Sequence, residues 1–272
     1  MLRTAEWIAA HKTQSQAAVY RSFNGRLGSF RWLFRLDVRY RCRRLVAVAK
    51  HLGIDLMNKR VLDVGFGGGQ KLRCFPKSCC LHGAEVSQSA VTRAKQDSRY
   101  RNWQEAAFTL IPEEPDGALP RGPFDILLSS HTLEHVIDDR AFLDAARSRL
   151  TPDGIFFLFV PIEEPHYNPD HLRSYSVDSI RALVTDAGFE VRSLEESMHI
   201  NGHIWKTITI PSRRRWPVLK GLVDAVRLVT LSALTYPGQR ILDKGLAKLG
   251  VGPRQAFLVC GVRPCCESGD GK

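Results

Sequence analysis

The 272-residue chain contains no run of about 18 uninterrupted apolar residues, so no membrane-spanning helix is expected from it. No hydrophobic signal segment opens it. Its seven cysteines form no Cys-x-x-Cys pair, since Cys79-Cys80 and Cys265-Cys266 are adjacent, which excludes a zinc ribbon or a thioredoxin-type redox motif. The reading is of reduced thiols in a cytoplasmic protein. Acid is the scarcer charge, 28 residues against 39 basic ones, for a net charge of +11. That excess suits an anionic partner (nucleic acid, a membrane surface or an acidic substrate) and equally suits a solvated arginine-rich surface. With 44% hydrophobic residues the chain can bury a sizeable core.

What the chain does have is Val61-Leu62-Asp63-Val64-Gly65-Phe66-Gly67-Gly68-Gly69-Gln70. A short apolar run with one acid reads as a buried parallel strand, and the glycines after it allow a tight turn with no side chain in a ligand's way. Residues 71–76 read as a first crossover helix. Strand, glycine turn and helix is the nucleotide-cradling layout of doubly wound α/β folds. Glu85 closes the next apolar segment, roughly 20 residues past Asp63, where an acid at a strand tip accepts ribose hydroxyls. Gln70 stands where the dinucleotide fingerprint Gly-x-Gly-x-x-Gly has its third glycine, so that fingerprint fails.

Further along, Phe124-Asp125-Ile126-Leu127-Leu128-Ser129-Ser130 reads as a fourth strand, followed by Leu133-Glu134-His135-Val136. Leu150-Thr151-Pro152-Asp153-Gly154-Ile155 leads a fifth, and residues 171–175 precede a helix and Ala187-Gly188-Phe189-Glu190-Val191. Together with Val61 to Gly69 and Gly83-Ala84-Glu85-Val86-Ser87, these segments resemble the class I S-adenosylmethionine (SAM)-dependent methyltransferases, over about residues 40–195 and a last strand near 256–263. The flavour is that of ubiquinone-pathway and natural-product O-methyltransferases. The resemblance implies SAM as cofactor. Gly65, Phe66 and Gly67 would approach its methionine part, Asp63 its amino group and Glu85, with Val86 beside it, its ribose. Ser130 and His131 would flank the sulfonium, and Glu113 or Glu114 the adenine.

The expected fold is α/β: a Rossmann-like, doubly wound, seven-stranded sheet, mostly parallel with an antiparallel final strand. The helices are expected near 39–52, 89–97, 143–150, 176–187 and 241–249. A helical N-terminal cap (1–52) precedes the SAM-binding core (53–195). A helical insertion (196–255) then precedes the last strand and tail (256–272). The cap is either a lid over the substrate pocket or a helix packed on the sheet. Within the insertion, Arg213-Arg214-Arg215-Trp216-Pro217 leads an apolar helix over about 218–234. That helix suits a lid or internal packing, a homodimer face, or peripheral contact at a membrane surface.

Transfer of a methyl group from a sulfonium to an alcohol, phenol or enol needs an aligned acceptor and a base for its proton. His131, His135 and His171 are the candidates: the first two follow the fourth strand, at a spacing that allows one helix face, and the third follows the fifth. His131-x-x-Glu134-His135 with the later His171 is also similar to the Glu-x-x-Glu-His plus distant His pattern of metal-dependent small-RNA 2′-O-methyltransferases. That gives His131, Glu134, His135 and His171 as candidate ligands of a divalent metal ion. With His in place of the first Glu, the set suits Zn²⁺, Fe²⁺, Co²⁺ or Ni²⁺ better than Mg²⁺. A structural role for the histidines stays open, and His199 and His203 are secondary pocket candidates.

Asn-Pro-Pro-Tyr or its Asp variant, which holds an exocyclic amine in nucleobase N-methyltransferases, is absent after the fourth strand. That argues against base N-methylation in DNA, and the apolar additions at both ends of the core favour, as the leading reading, O-methylation of a hydrophobic small molecule such as a polyketide or quinone precursor. RNA ribose methylation and small-molecule C-methylation are the alternatives, nucleic acid ranking lower for want of an RNA-binding module. A non-catalytic SAM-binding scaffold is the contrasting class.

Overall fold

The structure, a computed structural model, describes residues 36–111, 119–163, 171–199, 236–253 and 255–263. Seven strands form one sheet: β1 (Arg60–Val64), β2 (Cys80–Glu85), β3 (Glu105–Leu110), β4 (Phe124–Ser130), β5 (Leu150–Pro161), β6 (Phe189–Ser197) and β7 (Gln255–Val262). Their order is β3-β2-β1-β4-β5-β7-β6, with β7 antiparallel to the rest. Five helices are seen among the described residues: α1 (Leu36–His51), α2 (Gln88–Gln96), α3 (Asp139–Ser148), α4 (Val177–Asp186) and α5 (Tyr236–Lys248). The expected fold class is the one observed.

The chain separates into two compact units, one holding residues 56–195 with 256 onward, the other holding α1 and α5. In the first, β1 is buried at every residue after Arg60, which is why it reads as an apolar run carrying one acid. It pairs with β2 on one side and β4 on the other, so strand order reverses there, the position at which ligands lie in such sheets. The register brings Val64 level with Ala84 and Ser129, and Ser129 level with Leu158. The carboxyl ends of β2, β1, β4 and β5 therefore open on one edge.

Helix starts follow local chemistry. Asp138 caps α3 by accepting from the Ala141 N–H at 2.8 Å. Ser176 and Ser179 cap α4 reciprocally, at 3.0 and 2.9 Å. Phe142, Leu143 and Ala146 of α3 and Ile180 and Val184 of α4 enter the core with Phe124, Phe156 and Phe189. Phe159 stacks flat on Phe257, tying β5 to β7.

Four expectations change. Residues 71–76 form only a 3₁₀ turn at Leu72–Cys74, because Pro76 leaves too few residues for an α-helix before β2 begins. Helix α3 begins at Asp139 instead of near 143, at the cap that Asp138 supplies. Strand β5 starts at Leu150 and takes 151–154 within it, through an irregularity opposite Phe124/Ile126. Cys79, Cys80 and Cys260 are outside any disulfide, whereas Cys42 and Cys74 are disulfide-bonded, so the cysteines are not reduced throughout.

In the second unit, buried Asp243 of α5 accepts from the Tyr40 hydroxyl of α1 at 3.2 Å and from the Met198 N–H at 3.0 Å. No described helix is long and apolar enough to cross a membrane. Residues 1–35, Glu113, Glu114, His203 and the 213–234 stretch lie outside the described residues.

Candidate active site

The glycine turn after β1 is built for close approach. Gly65, at φ +73°, leaves no room for a side chain: a Cβ there would stand 2.1 Å from the Thr132 hydroxyl, which itself donates to the Val64 carbonyl at 3.3 Å. Gly67, at φ +55°, faces open space instead, so the backbone there is bare. Its N–H donates to Glu85 Oε2 at 2.8 Å. Glu85 is buried and also accepts from the Val86 and Ser87 N–H groups at 2.9 and 3.3 Å, which fixes its carboxylate at the tip of β2. Phe66 does not line this edge with its ring: the side chain is buried and packs 5.3 Å from the Phe108 ring, leaving its backbone as the part available to a ligand.

Asp63 is fully buried, and neither of its carboxylate oxygens has a hydrogen-bond partner. Burial, reinforced by the charge of Glu85 and partly offset by Lys71, pushes its carboxyl up to about 7. An orphaned acid beside a bare glycine turn is the arrangement that a ligand carrying an ammonium group would complete, and a cofactor with an amino-acid end fits it.

Strand β4 ends at Ser130, whose hydroxyl is buried without a partner. The ladder runs one residue further, the His131 N–H donating to the Phe159 carbonyl at 2.9 Å. His131 then takes φ +56°, the left-handed region that only glycine and a few polar residues visit readily. The 3₁₀ turn Leu133–His135 follows. His131 and His135 consequently do not share one α-helix face. They meet instead around Glu134, with His131 Nδ1 3.4 Å and His135 Nε2 4.0 Å from Glu134 Oε1. The first distance is long for a hydrogen bond, and both contacts are electrostatic in character.

Glu134 is fully buried. Burial alone would raise its carboxyl, yet His131, His135 and His171 together outweigh it and hold the group below its ordinary value. Asp63 and Glu134 are thus equally buried acids with opposite outcomes: burial dominates at Asp63, whereas the three histidines outweigh it at Glu134.

His171 joins the cluster from the other side, its ring 5.0 Å from that of His135 and edge-on to it. Its segment is held from several points. The Leu172 N–H donates to the Glu134 carbonyl at 2.9 Å. Arg173 pairs with Asp139 at 2.7 Å and donates to the Ile137 carbonyl. The Tyr175 hydroxyl donates to Asp139 at 2.9 Å. Ligand atoms of Glu134, His135 and His171 lie within 4.8 Å of one another, a group able to hold a metal ion; His131 is not part of that group.

One residue the sequence reading passed over stands here: Glu163, buried just beyond β5, with Oε1 3.0 Å from His171 Nδ1. Its signal was faint, an acid two residues past an apolar strand. His199, a secondary candidate, is engaged elsewhere, its Nδ1 2.6 Å from the Val251 carbonyl.

Residues 34–194 match a family model described as a methyltransferase domain. A ubiquinone biosynthesis O-methyltransferase of Neisseria meningitidis serogroup C (strain 053442) is 28% identical over 105 residues, 38% of this chain and 44% of the relative. The protein-lysine N-methyltransferase efm4 of Schizosaccharomyces pombe is 26% identical over 172 residues, 56% of this chain and 61% of the relative. The chain therefore spans between two-fifths and about three-fifths of the curated relatives it matches. A crystal structure of Burkholderia thailandensis 1,6-didemethyltoxoflavin-N1-methyltransferase, with 1,6-didemethyltoxoflavin and S-adenosylhomocysteine bound, aligns at a TM-score of 0.56. It is 14% identical, with 97% of this chain and 92% of that one covered, a likeness of fold.

Proposed function

The chain belongs to the methyltransferase-domain family, the class I SAM-dependent methyltransferases, and on that premise we propose that it methylates an oxygen, a hydroxyl or enol, of a hydrophobic small molecule. The observation that carries this is the buried Glu134 carboxylate ringed by three histidines directly past the strand that ends at the cofactor edge.

Bound SAM supplies a methyl group already activated on a sulfonium. Asp63 takes the ammonium of the cofactor, and Glu85, preset by three backbone N–H groups, takes the ribose hydroxyls. The bare backbone at Gly67, after the tight turn that Gly65 makes against Thr132, would let the amino-acid end lie close. Ser130, which ends β4, and His131 after it would flank the sulfonium. An imidazole of the cluster would take the acceptor proton as the O–CH3 bond forms and the S–CH3 bond breaks to release the thioether product, and Glu134 would stabilise the imidazolium formed, so the proton ends on histidine. Among the three, His171 is the best-placed base, because a second buried acid, Glu163, stands 3.0 Å from its Nδ1. The domain arrangement proposed with this function is a SAM-binding core at 53–195, completed by 256–272, with 1–52 as a helical cap and 196–255 as a helical insertion.

A second reading has its own observation. Glu134, His135 and His171 offer a nitrogen-rich donor set at metal-binding separation. An ion held there would act as a Lewis acid on the acceptor oxygen, and this donor set suits Zn²⁺, Fe²⁺, Co²⁺ or Ni²⁺.

One experiment tests both. The purified chain is assayed for metal by plasma mass spectrometry, then given methyl-labelled SAM with a panel of phenols, catechols and enols, before and after chelation. Label in an organic-extractable methyl ether, unaffected by chelation and without bound metal, supports the histidine base. Turnover lost on chelation and restored by one divalent ion supports the metal reading. Label found only on RNA, protein or a carbon atom refutes the proposed acceptor class.

A further inference from the structure

Glu163 is 1% exposed. Its backbone N–H donates to the Tyr175 carbonyl at 3.1 Å, and its Oε2 has no hydrogen-bond partner. Its Oε1 stands 3.0 Å from His171 Nδ1, close in distance though off the alignment of a full hydrogen bond. Neither partner is free to drift. Glu163 is pinned at the end of β5, and His171 is held by Leu172 on Glu134 and by the Asp139 contacts of Arg173 and Tyr175.

A bare Nδ1 at that distance would set its lone pair against those of a carboxylate in a site shielded from water, where such repulsion is strongest. A proton on Nδ1 turns the same contact attractive and gives the buried acid a donor. Neutral imidazole in water favours the opposite tautomer, with the proton on Nε2, so something must hold the Nδ1–H form.

We infer that Glu163 is a positioning residue: it holds His171 as the Nδ1–H tautomer and thereby leaves Nε2 as the nitrogen that works at the Glu134–His135 site. This rests on the reading of that cluster as catalytic, and it applies whether Nε2 takes a proton or binds an ion. The relation is that of an orienting carboxylate to a base or a ligand histidine.

The test needs neither SAM nor an acceptor. The full chain is labelled with ¹⁵N-histidine, and its ring nitrogens are read by two-bond ¹H–¹⁵N correlation at about pH 8, where an unperturbed imidazole is neutral. The signals of His171 are identified by their loss in His171→Gln. The expected wild-type pattern is a protonated Nδ1 with a bare Nε2. Glu163→Leu should move His171 to the Nε2–H form, whereas Glu163→Gln, whose amide oxygen still accepts, should retain Nδ1–H. Turnover in Glu163→Leu should fall by roughly 10–100-fold with SAM affinity within about twofold, the range for orienting groups.

A wild-type Nε2–H pattern, as from a protonated Glu163 donating to Nδ1, overturns the inference. So does a doubly protonated ring, or an unchanged tautomer in Glu163→Leu. The wild-type spectrum decides even where a variant fails to fold. A correct tautomer in a chain that transfers no methyl group would leave the inference standing and refute the proposed function instead.

Discussion

Asp63→Asn should make the free protein more stable at neutral pH and worse at holding SAM. The side chain is completely buried with both oxygens orphaned, and burial raises its carboxyl from 3.8 to about 7. An acid whose folded value is raised carries its full stabilisation below the unfolded value and loses it as pH rises through the folded one. Here that window runs from about pH 4 to about pH 7. A displacement of about 3 units at about 1.4 kcal/mol each makes the ionised side chain cost about 4 kcal/mol above pH 7. Asparagine has the same shape without the charge. In urea unfolding, the variant should match wild type near pH 4 and exceed it by up to about 4 kcal/mol near pH 8. SAM should bind the variant about 10- to 100-fold more weakly, the loss of a charge-assisted contact. Wild-type affinity should rise by up to about tenfold per pH unit below 7 and then flatten, since the ammonium meets the ionised form. A variant that is less stable at pH 8, or that binds SAM within twofold of wild type, would refute the assignment of Asp63 to the cofactor.

Two further perturbations separate shape from chemistry. Gly65→Ala forces a Cβ within 2.1 Å of Thr132 at φ +73°, whereas Gly53→Ala, at φ +68°, meets nothing within 4 Å. Thermal unfolding should show Gly53→Ala costing about 1–2 kcal/mol for backbone strain alone, and Gly65→Ala costing more and abolishing SAM binding. Tyr175→Phe removes the hydroxyl that donates to Asp139 at 2.9 Å. It should cost about 1 kcal/mol in denaturant unfolding and lower turnover more than SAM affinity, because it loosens the segment that presents His171.

The sheet was legible in the sequence because its central strands are buried on both faces and carry an almost pure apolar signal. Val61 to Val64 and Ile126 to Leu128 could be little else. The glycine turn and Glu85 were legible for the same reason that the structure needs them: close approach and a strand tip. The crossover after β1 was misread because Lys71-Leu72-Arg73 has a helical composition, and the decisive fact was the short distance to Pro76 and β2. The histidines were found as types but not as an arrangement. A spacing of four suggested one helix face, whereas a left-handed residue and a 3₁₀ turn wrap His131 and His135 around Glu134. Glu163 was missed because its role exists only in three dimensions: it is eight positions before His171 along the chain, yet its Oε1 stands 3.0 Å from the Nδ1 of that ring.

The central claim is that the Glu134–histidine cluster performs chemistry and does not merely fill the core. Glu134→Gln tests it most directly, keeping the shape and removing the charge, with SAM affinity by calorimetry and methyl transfer measured on the same preparation. The account predicts SAM affinity within about twofold of wild type and turnover lowered at least 100-fold, the size of a lost electrostatic stabiliser. Turnover within about threefold of wild type, with SAM affinity retained, would contradict it.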